Sequence, residues 1–441
     1  MKSHWYSDCE YSQPALSEQL FVICALLLFM GAFLNLGTAV DLSEVDEGML
    51  GMQILWAVVY VLTLFVFGKS SRDLLQKLTN ERWLVLLVSA AVLSALWSDD
   101  PSLTLRHSFA LVGTTLFGLY FADRYPLKQQ LRFLTSSFLI AATASVVFEI
   151  CGIGTPSVPG LPGWIGVFVH KNTLGQNMAI ATAVFLVVRK SDTEYRTKAS
   201  LGLCLSIPLL LMSKSTTAIL MLLLGVIVIP FSRKIRESAR TATLLAALAI
   251  PLCVWCCIWA YEHIEKVTAI LGRDPTLTGR LQLWILCAVM ALQKPWLGYG
   301  YSGFWRGWAG PSAAVWRVLG WDVPHSHNGL LEVWLGLGLL GVLLYVIGFV
   351  VYARRAIIFL RAVKSPEGYW PVLFLTLMFV SSVTEATILS RNSLLWILYV
   401  TVGISAGYVP RQATIDVRQT VSKENSPLLG DVRAKRDLSG A

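Results

Sequence analysis

The sequence carries little charge for its length. Only 14% of its 441 residues are charged and 55% are hydrophobic, whereas about a quarter of a typical soluble domain is charged. This composition excludes a large soluble catalytic domain and favours a chain that lies in a lipid bilayer. The net charge of +9 is spread between apolar runs, a pattern that encodes membrane topology, and we therefore expect no nucleic-acid partner.

The sequence also lacks a disulfide framework. Most of its eight cysteines lie in or beside apolar runs, where they act as small hydrophobic residues; these are Cys24, Cys151, Cys204, Cys253, Cys256 and Cys257. The last three resemble a metal spacing, but no second ligand pair accompanies them. We expect neither a metal centre nor a cofactor.

Long apolar runs dominate what is present. They predict an all-α integral membrane protein with about 12 transmembrane helices. The predicted spans are 18-36, 50-68, 83-98, 105-121, 133-153, 173-188, 199-212, 215-232, 242-262, 328-352, 370-386 and 393-408. The seventh and eighth spans are kept separate, because one merged span would place Lys214 at its centre.

The distribution of basic residues predicts the orientation of these spans. With the N-terminus inside, 26 of the 36 Lys and Arg residues fall in cytoplasmic segments, as cytoplasmic loops require. Both termini are then cytoplasmic, with residues 1–17 and 409–441 flanking a membrane domain of residues 18–408. We expect the polar segment 409–441 to be disordered, and the first apolar run to be a retained span instead of a signal peptide.

One large outer loop, residues 263–326, separates the ninth and tenth predicted spans. It holds six of the 16 tryptophans. Two interpretations stay open for them: an aromatic belt on a membrane-lying helix, favoured for Trp284, or a stacking platform for sugar rings or lipid. The second is at least as good for Trp305, Trp308 and Trp321, which lie among Gly, Ser and Pro.

Four outward-facing strings carry a family resemblance. They are WSDDPSLTLRHS at 97–108, GVFVHKNTLGQN at 166–177, TGRLQLWILCAVMALQKPWLGYGYSGF at 278–304 and HSHNGLLEVWLGLGLLG at 325–341. Together they resemble the O-antigen polymerase and ligase family, and in particular its exopolysaccharide polymerases. SKSTTAIL at 213–220 and TEATILSRNSLLWILY at 384–399 are similar to further strings of that family.

The resemblance implies a metal-independent, inverting glycosyltransferase of the bacterial inner membrane. Its donor would be an undecaprenyl diphosphate-linked oligosaccharide at the periplasmic face, and its partners would include membrane lipid, a flippase and a chain-length regulator. The family's periplasmic histidine corresponds to His327, and its anion-binding basic residues correspond to Arg280 and Lys214. Ligases usually have Arg where this chain has Lys214, which favours the polymerase branch.

The residues themselves support parts of this assignment. Arg280 opens a predicted amphipathic helix, where helix N-terminal amides and a guanidinium can face an anion; an ordinary snorkelling arginine is the alternative. A neutral His327 can accept a proton, although helix capping or packing would also explain it. Glu332 lies about 140° from His327 on a helical wheel, so we expect no direct pairing and a polar partner on another helix.

Further charged residues flank other predicted spans. His170 and Lys171 precede the sixth span, Arg106 and His107 open the fourth, and Arg391 and Glu385 precede the twelfth. Topology or helix capping can explain each of them. If they converge with Lys214 and Arg280, they form a basic funnel for a diphosphate, which the sequence alone does not show.

Two rival functions remain at this stage. A ligase would transfer the finished glycan to lipid A-core or another acceptor by the same donor chemistry. A transporter or flippase would also suit twelve spans with both ends inside. Against transport, the two halves show no evident duplication, and acids deep in the predicted spans are scarce, Glu149 and Glu332 being the clear ones.

Overall fold

The computed structural model describes residues 14–34, 50–70, 79–153, 163–237 and 279–408, and within these ranges the regular elements are all helical. The α-helices before residue 240 are α1 (Leu16–Phe29), α2 (Leu50–Ser70), α3 (Arg82–Leu93), α4 (Pro101–Arg124), α5 (Leu127–Ile150), α6 (Lys171–Ser191), α7 (Arg196–Met212) and α8 (Thr216–Glu237). The later ones are α9 (Arg280–Gln293), α10 (Ser312–Leu319), α11 (Gly329–Ala362), α12 (Trp370–Thr384) and α13 (Leu394–Tyr408). Short 3-10 turns occupy Ser94–Leu96, Gly307–Ala309 and Pro366–Tyr369.

The predicted all-α membrane class is confirmed. Four described segments are long and apolar enough to cross a membrane, namely Gly51–Gly68, Leu127–Ile150, Thr216–Glu237 and Gly329–Ala362. The total of twelve spans, their orientation and the domain boundaries stay predictions. The predicted ninth span at 242–262 and the tail at 409–441 lie outside the described residues.

Several predicted helix boundaries were wrong. The first helix ends at Phe29 instead of residue 36, because a left-handed glycine, Gly31 (φ 74°), follows it. Helix α4 begins at Pro101, where the Asp100 side chain accepts a hydrogen bond from the Leu103 N–H. Arg106 and His107 therefore lie inside this helix instead of opening it.

The predicted division on either side of Lys214 is confirmed. Helix α7 ends at Met212 and α8 begins at Thr216. Lys214 lies between them in the left-handed region (φ 51°), a conformation that costs a non-glycine residue free energy and breaks the helical path. Two helices, not one long one, therefore occupy this stretch.

The chain forms two compact units. The first comprises Met1–Met49 and Lys128–Ile219. Within it α6 and α7 pack closely, because Gly202 leaves room for the ring of Phe185. A hydrogen bond of 2.9 Å between the Thr182 and Ser206 hydroxyls joins the two helices. Glu149 accepts the backbone N–H groups of Ile165 and Gly166, each at 2.8 Å, so this carboxylate has a structural role.

The second unit comprises Leu50–Leu127 and Leu220–Ala441. Its central element is α11, which packs against α3, α9 and α12. Arg355 on α11 forms an ion pair of 2.7 Å with the buried Glu81 before α3. A small hydrophobic core supports residues 279–335; it consists of Leu283, Cys287, Ala291, Tyr299, Phe304, Val315, Val323 and Leu335.

Helix α9 has one buried face and one exposed face. Leu283, Cys287 and Ala291 are buried in the small core, whereas Ile285 and Val289 are exposed. Leu281 and Leu292 extend the exposed apolar stripe. The predicted helix after Gly279 is confirmed, but apolar side chains occupy its exposed face as well as its buried face, so it is not the amphipathic helix that the sequence predicted.

Helix α11 contains a break at Gly338 (φ 66°, ψ −168°). Beyond the break, the N–H groups of Leu339 and Leu340 donate to the carbonyl oxygens of Pro295 (2.8 Å) and Trp296 (3.3 Å). The carbonyl oxygen of Leu335, before the break, accepts the N–H of Tyr299 at 2.8 Å. The segment after α9 therefore replaces backbone hydrogen bonds that the helix gives up.

Candidate active site

Arg280 is the first residue of α9. Gly279 precedes it in the left-handed region (φ 81°), which glycine adopts without strain. Nη1 of Arg280 donates to the Thr384 carbonyl oxygen at 2.7 Å, and Nη2 donates to Oε1 of Glu385 at 3.1 Å. The arginine is 23% exposed, so one edge of its guanidinium is held while solvent still reaches the side chain.

His327 lies on the turn before α11 in the left-handed region (φ 49°). It does not cap the helix, since the Asn328 side chain accepts the Leu331 N–H at 3.0 Å and fills that role. Nδ1 of His327 lies 3.2 Å from Oε2 of Glu385. The non-helical backbone and the carboxylate contact together fix the direction of the imidazole.

Glu385 links these two residues. It follows α12 immediately, in the loop outside that helix, and its side chain is only 13% exposed. Burial by itself would raise the pKa of this carboxyl, but the hydrogen bond with His327 and the positive charge of Arg280 outweigh it and lower the pKa to about 2. Glu385 is therefore a carboxylate at neutral pH.

Glu332 anchors the turn that carries His327. Its Oε2 accepts hydrogen bonds from the backbone N–H of Ser326 at 2.9 Å and from the Ser326 hydroxyl at 2.7 Å. Its Oε1 accepts the indole N–H of Trp305 at 2.8 Å. The expected partner on another helix is not found, since Ser326 and Trp305 both lie outside the helices. The helical-wheel angle between Glu332 and His327 does not apply, because α11 begins at Gly329, after His327.

The tryptophans of this region have unequal roles. The indole N–H of Trp284 donates to the Ser326 carbonyl oxygen at 3.0 Å, and Trp305 is partly buried against Phe304. Both therefore support the histidine turn. Trp308 and Trp321 are 60% and 46% exposed, so they offer more ring surface to a sugar than Trp305 does.

Arg106, His107 and Arg391 are further predicted site residues of the same unit. His107 is buried, and the charges of Arg391 and Arg106 both act on it. The loop that joins Glu385 to Arg391 is firmly anchored: the Tyr301 hydroxyl donates to the Leu389 carbonyl oxygen at 2.6 Å. One anchored loop therefore carries a carboxylate toward His327 and a guanidinium toward His107.

The remaining predicted site residues belong to the other compact unit. His170 caps α6, because its Nδ1 accepts the N–H of Asn172 at 3.1 Å. Lys171 and the turn before the exposed Lys214 come together at Gly163, which lies against both the Lys171 side chain and Ser213. The backbone just before Lys214 thus lies near the side chain of Lys171.

The group at the start of α11 has a definite chemical capacity. A carboxylate on Nδ1 leaves the Nε2 lone pair of a neutral imidazole available as a base. Beside it, Arg280 retains N–H groups that are not used by Thr384 or Glu385 and can bind an anion. His325, His327 and Glu385 also present ligand atoms within 4.8 Å of one another, a group that sequence spacing did not reveal.

Sequence reasoning undervalued Glu385 and missed the support of the turn. Glu385 lies 58 residues beyond His327, and topology or capping was an adequate explanation for it. Its one available signal was its position as an acid at the end of an apolar run. The contributions of Ser326 and Trp284 rest on a backbone carbonyl and a hydroxyl, which no residue spacing reports.

Comparisons with known proteins support the family resemblance of this sequence. A family model described as O-antigen ligase matches residues 201–346. That stretch includes Lys214, Arg280 and His327 and ends before Glu385. The chain is also 26% identical to the exopolysaccharide production protein ExoQ of Rhizobium meliloti (strain 1021) over 293 residues, which cover 62% of this chain and 64% of ExoQ. The alignment thus spans less than two thirds of that relative, and the predicted resemblance to the family is confirmed.

Proposed function

We propose that this multi-pass helical membrane protein polymerises undecaprenyl diphosphate-linked oligosaccharide repeats into exopolysaccharide at the periplasmic face of the inner membrane. The observation that carries the proposal is the contact chain from Arg280 through Glu385 to His327. A general base and an anion-binding guanidinium are the two groups that transfer from a lipid diphosphate requires. The similarity to ExoQ supports exopolysaccharide as the product.

The proposed reaction forms one bond and breaks one bond at the anomeric carbon of the donor. The acceptor hydroxyl oxygen attacks this carbon from the face opposite the leaving group, and its proton passes to Nε2 of His327. The bond from the anomeric carbon to the phosphate oxygen breaks, and the diphosphate leaves with the electron pair. Arg280 binds the charge that develops on this leaving group.

Glu385 is a positioning residue in this proposal. Its Oε2 holds Nδ1 of His327 and its Oε1 holds Arg280, so one carboxylate orients the base and the anion-binding group. It also stabilises the imidazolium that forms as the acceptor proton is taken up. Glu385→Gln should lower kcat with little change in KM for the donor, whereas a purely structural role would reduce the amount of folded protein instead.

Purified protein with a lipid-linked oligosaccharide tests the proposed function directly. A ladder of longer lipid-linked products, formed without an ion gradient and absent with His327→Ala, supports a polymerase. Movement of the substrate across a vesicle membrane without lengthening would contradict the proposal and favour a flippase. The separate products distinguish the two classes in one preparation.

The match of residues 201–346 to the O-antigen ligase family model favours ligation as a second candidate function. Both activities use the same donor chemistry and differ in the acceptor. Deletion of the gene followed by electrophoresis of surface polysaccharide separates them. Accumulated single repeats indicate a lost polymerase, and long unattached chains indicate a lost ligase.

A further inference from the structure

We propose that His325, His327 and Glu385 bind a divalent transition-metal ion such as Zn²⁺, and that the bound ion inhibits sugar transfer. The binding part stands by itself, whereas the inhibition part rests on the proposed function. One ligand atom from each of the three residues lies within 4.8 Å of the other two. Two imidazoles and one carboxylate are a ligand set typical of zinc with an open fourth position.

The distances within the group suit one ion. Nδ1 of His327 and Oε2 of Glu385 are 3.2 Å apart. An ion about 2.1 Å from each atom, a usual zinc distance, would make an angle of about 100° between them. The His325 and His327 ring centroids are 4.0 Å apart, so a third ligand lies close to the same point.

The turn that carries both histidines is held by contacts outside the group. Glu332 accepts two hydrogen bonds from Ser326, and Trp284 donates to the Ser326 carbonyl oxygen. Ser326, between the two histidines, is fully buried. The ligands are therefore positioned before any ion arrives, which lowers the ordering cost of binding.

Arg280 opposes the ion. Its Nη2 lies 3.1 Å from Oε1 of Glu385, so its positive charge is close to the proposed site and competes for the same carboxylate. We expect weaker binding than at a structural zinc site, and tighter binding when the guanidinium is removed. Removing Arg280 should therefore raise the affinity for the ion, whereas removing a histidine ligand should lower it.

Inhibition follows from the position of the imidazole proton. A neutral imidazole carries one N–H, and an ion on Nδ1 of His327 requires that proton to be on Nε2. The proposed base then has no lone pair for the acceptor hydroxyl. The ion also replaces the contact with which Glu385 orients the ring.

Metal binding is tested on the purified full-length chain in detergent, with a purification tag that lacks histidine. Zn²⁺ titration by calorimetry and the visible spectrum of added Co²⁺ report binding without any need for activity. His325→Ala should raise the Kd for Zn²⁺ at least about tenfold, and Arg280→Gln should lower it. The matched control His170→Ala removes an exposed histidine outside the group and should leave the Kd unchanged.

Equal Zn²⁺ affinity in the wild type and His325→Ala overturns the metal site, and so does an absence of binding in the wild type. Inhibition is tested by measuring product lengthening by each variant with and without Zn²⁺. Zinc should stop product lengthening by the wild type, EDTA should restore it, and His325→Ala should resist the same zinc concentration. Zinc binding in a protein that never lengthens the substrate would leave the site standing and contradict the proposed function, whereas lengthening that is insensitive to bound zinc would contradict inhibition alone.

Discussion

Arg280 shows how one side chain is committed to two tasks. Thr384 and Glu385 already accept two of its N–H groups, and the remaining N–H groups of the planar fork are left for a diphosphate. A lysine ammonium is a point charge with three donors and cannot keep both protein contacts and a two-point grip on phosphate. Charge alone is therefore an insufficient description of this position.

Arg280→Lys should lose most polymerising activity, by at least about tenfold, although the positive charge is retained. Elongation of lipid-linked substrate by the purified variant measures the effect. Arg317→Lys, on the exposed last turn of α10, is the matched control and should lose much less. Polymer of near-normal length from a normally expressed Arg280→Lys strain would remove the residue from the site.

His327→Ala should leave donor binding intact and lower turnover by about 10² to 10⁴, the usual effect of losing a general base. His325→Ala should be much milder, because its ring contacts His327 instead of the acceptor. His327→Gln decides between the roles, because robust elongation by this variant would exclude a base.

Arg280 and His327 were identified from the family strings, but the contact that joins them was not. Sequence resemblance placed Arg280 and His327 in the site, and the turn chemistry after Gly279 predicted the helix that Arg280 begins. The contact through Glu385 depends on how the loop after α12 meets α9 and α11, which is a tertiary arrangement without a local sequence signal. Local rules therefore located the groups, and long-range packing determined how they are joined.

At the scale of elements, α11 owes its shape to Gly338. A Cβ at this position would lie 2.2 Å from backbone atoms of Trp296, and the backbone there is in a region essentially limited to glycine. The break positions the segment after α9 beside the helix whose first turn carries Glu332. Packing of one backbone against another thus maintains the distance between Trp305 and Glu332.

Gly338→Ala should destabilise the protein by about 1 to 3 kcal/mol from backbone strain alone, and the displaced segment should reduce activity as well. Thermal unfolding in detergent and the elongation assay measure the two effects. Gly336→Ala is the control in the same helix, since its new Cβ would meet its nearest atoms at ordinary contact distances of 3.6 and 3.7 Å. Equal melting temperatures for the two variants would contradict this account of the break.

At the scale of the whole molecule, composition was sufficient for the helical membrane class. The charge distribution predicts the orientation, because basic residues stay on the cytoplasmic side during insertion. Helix ends were harder to predict, as α1 shows, since a left-handed glycine inside an apolar run ends the helix without lowering the hydropathy. The predicted spans other than the ninth, which lies outside the described residues, therefore overlap described helices, while their boundaries differ by several residues.

Cysteine labelling of intact cells should test the predicted orientation. A membrane-impermeant maleimide should label Arg317→Cys in the outer loop directly and Lys198→Cys only after permeabilisation. Both positions are exposed, so accessibility should report the side of the membrane and not burial. Labelling of the native cysteines in the wild type provides the background, and direct labelling of Lys198→Cys would reverse the topology.

The backbone hydrogen bonds between α11 at Gly338 and the segment after α9 also determine how these two parts can separate. The amides of Leu339 and Leu340 depend on the carbonyl oxygens of Pro295 and Trp296, and the Tyr299 amide depends on Leu335. None of the three can exchange its hydrogen with deuterated water unless the segment and the helix separate. We therefore expect these three amides to exchange at one common rate. Such a rate would mean that the segment after α9 stays packed against α11 and does not open by itself.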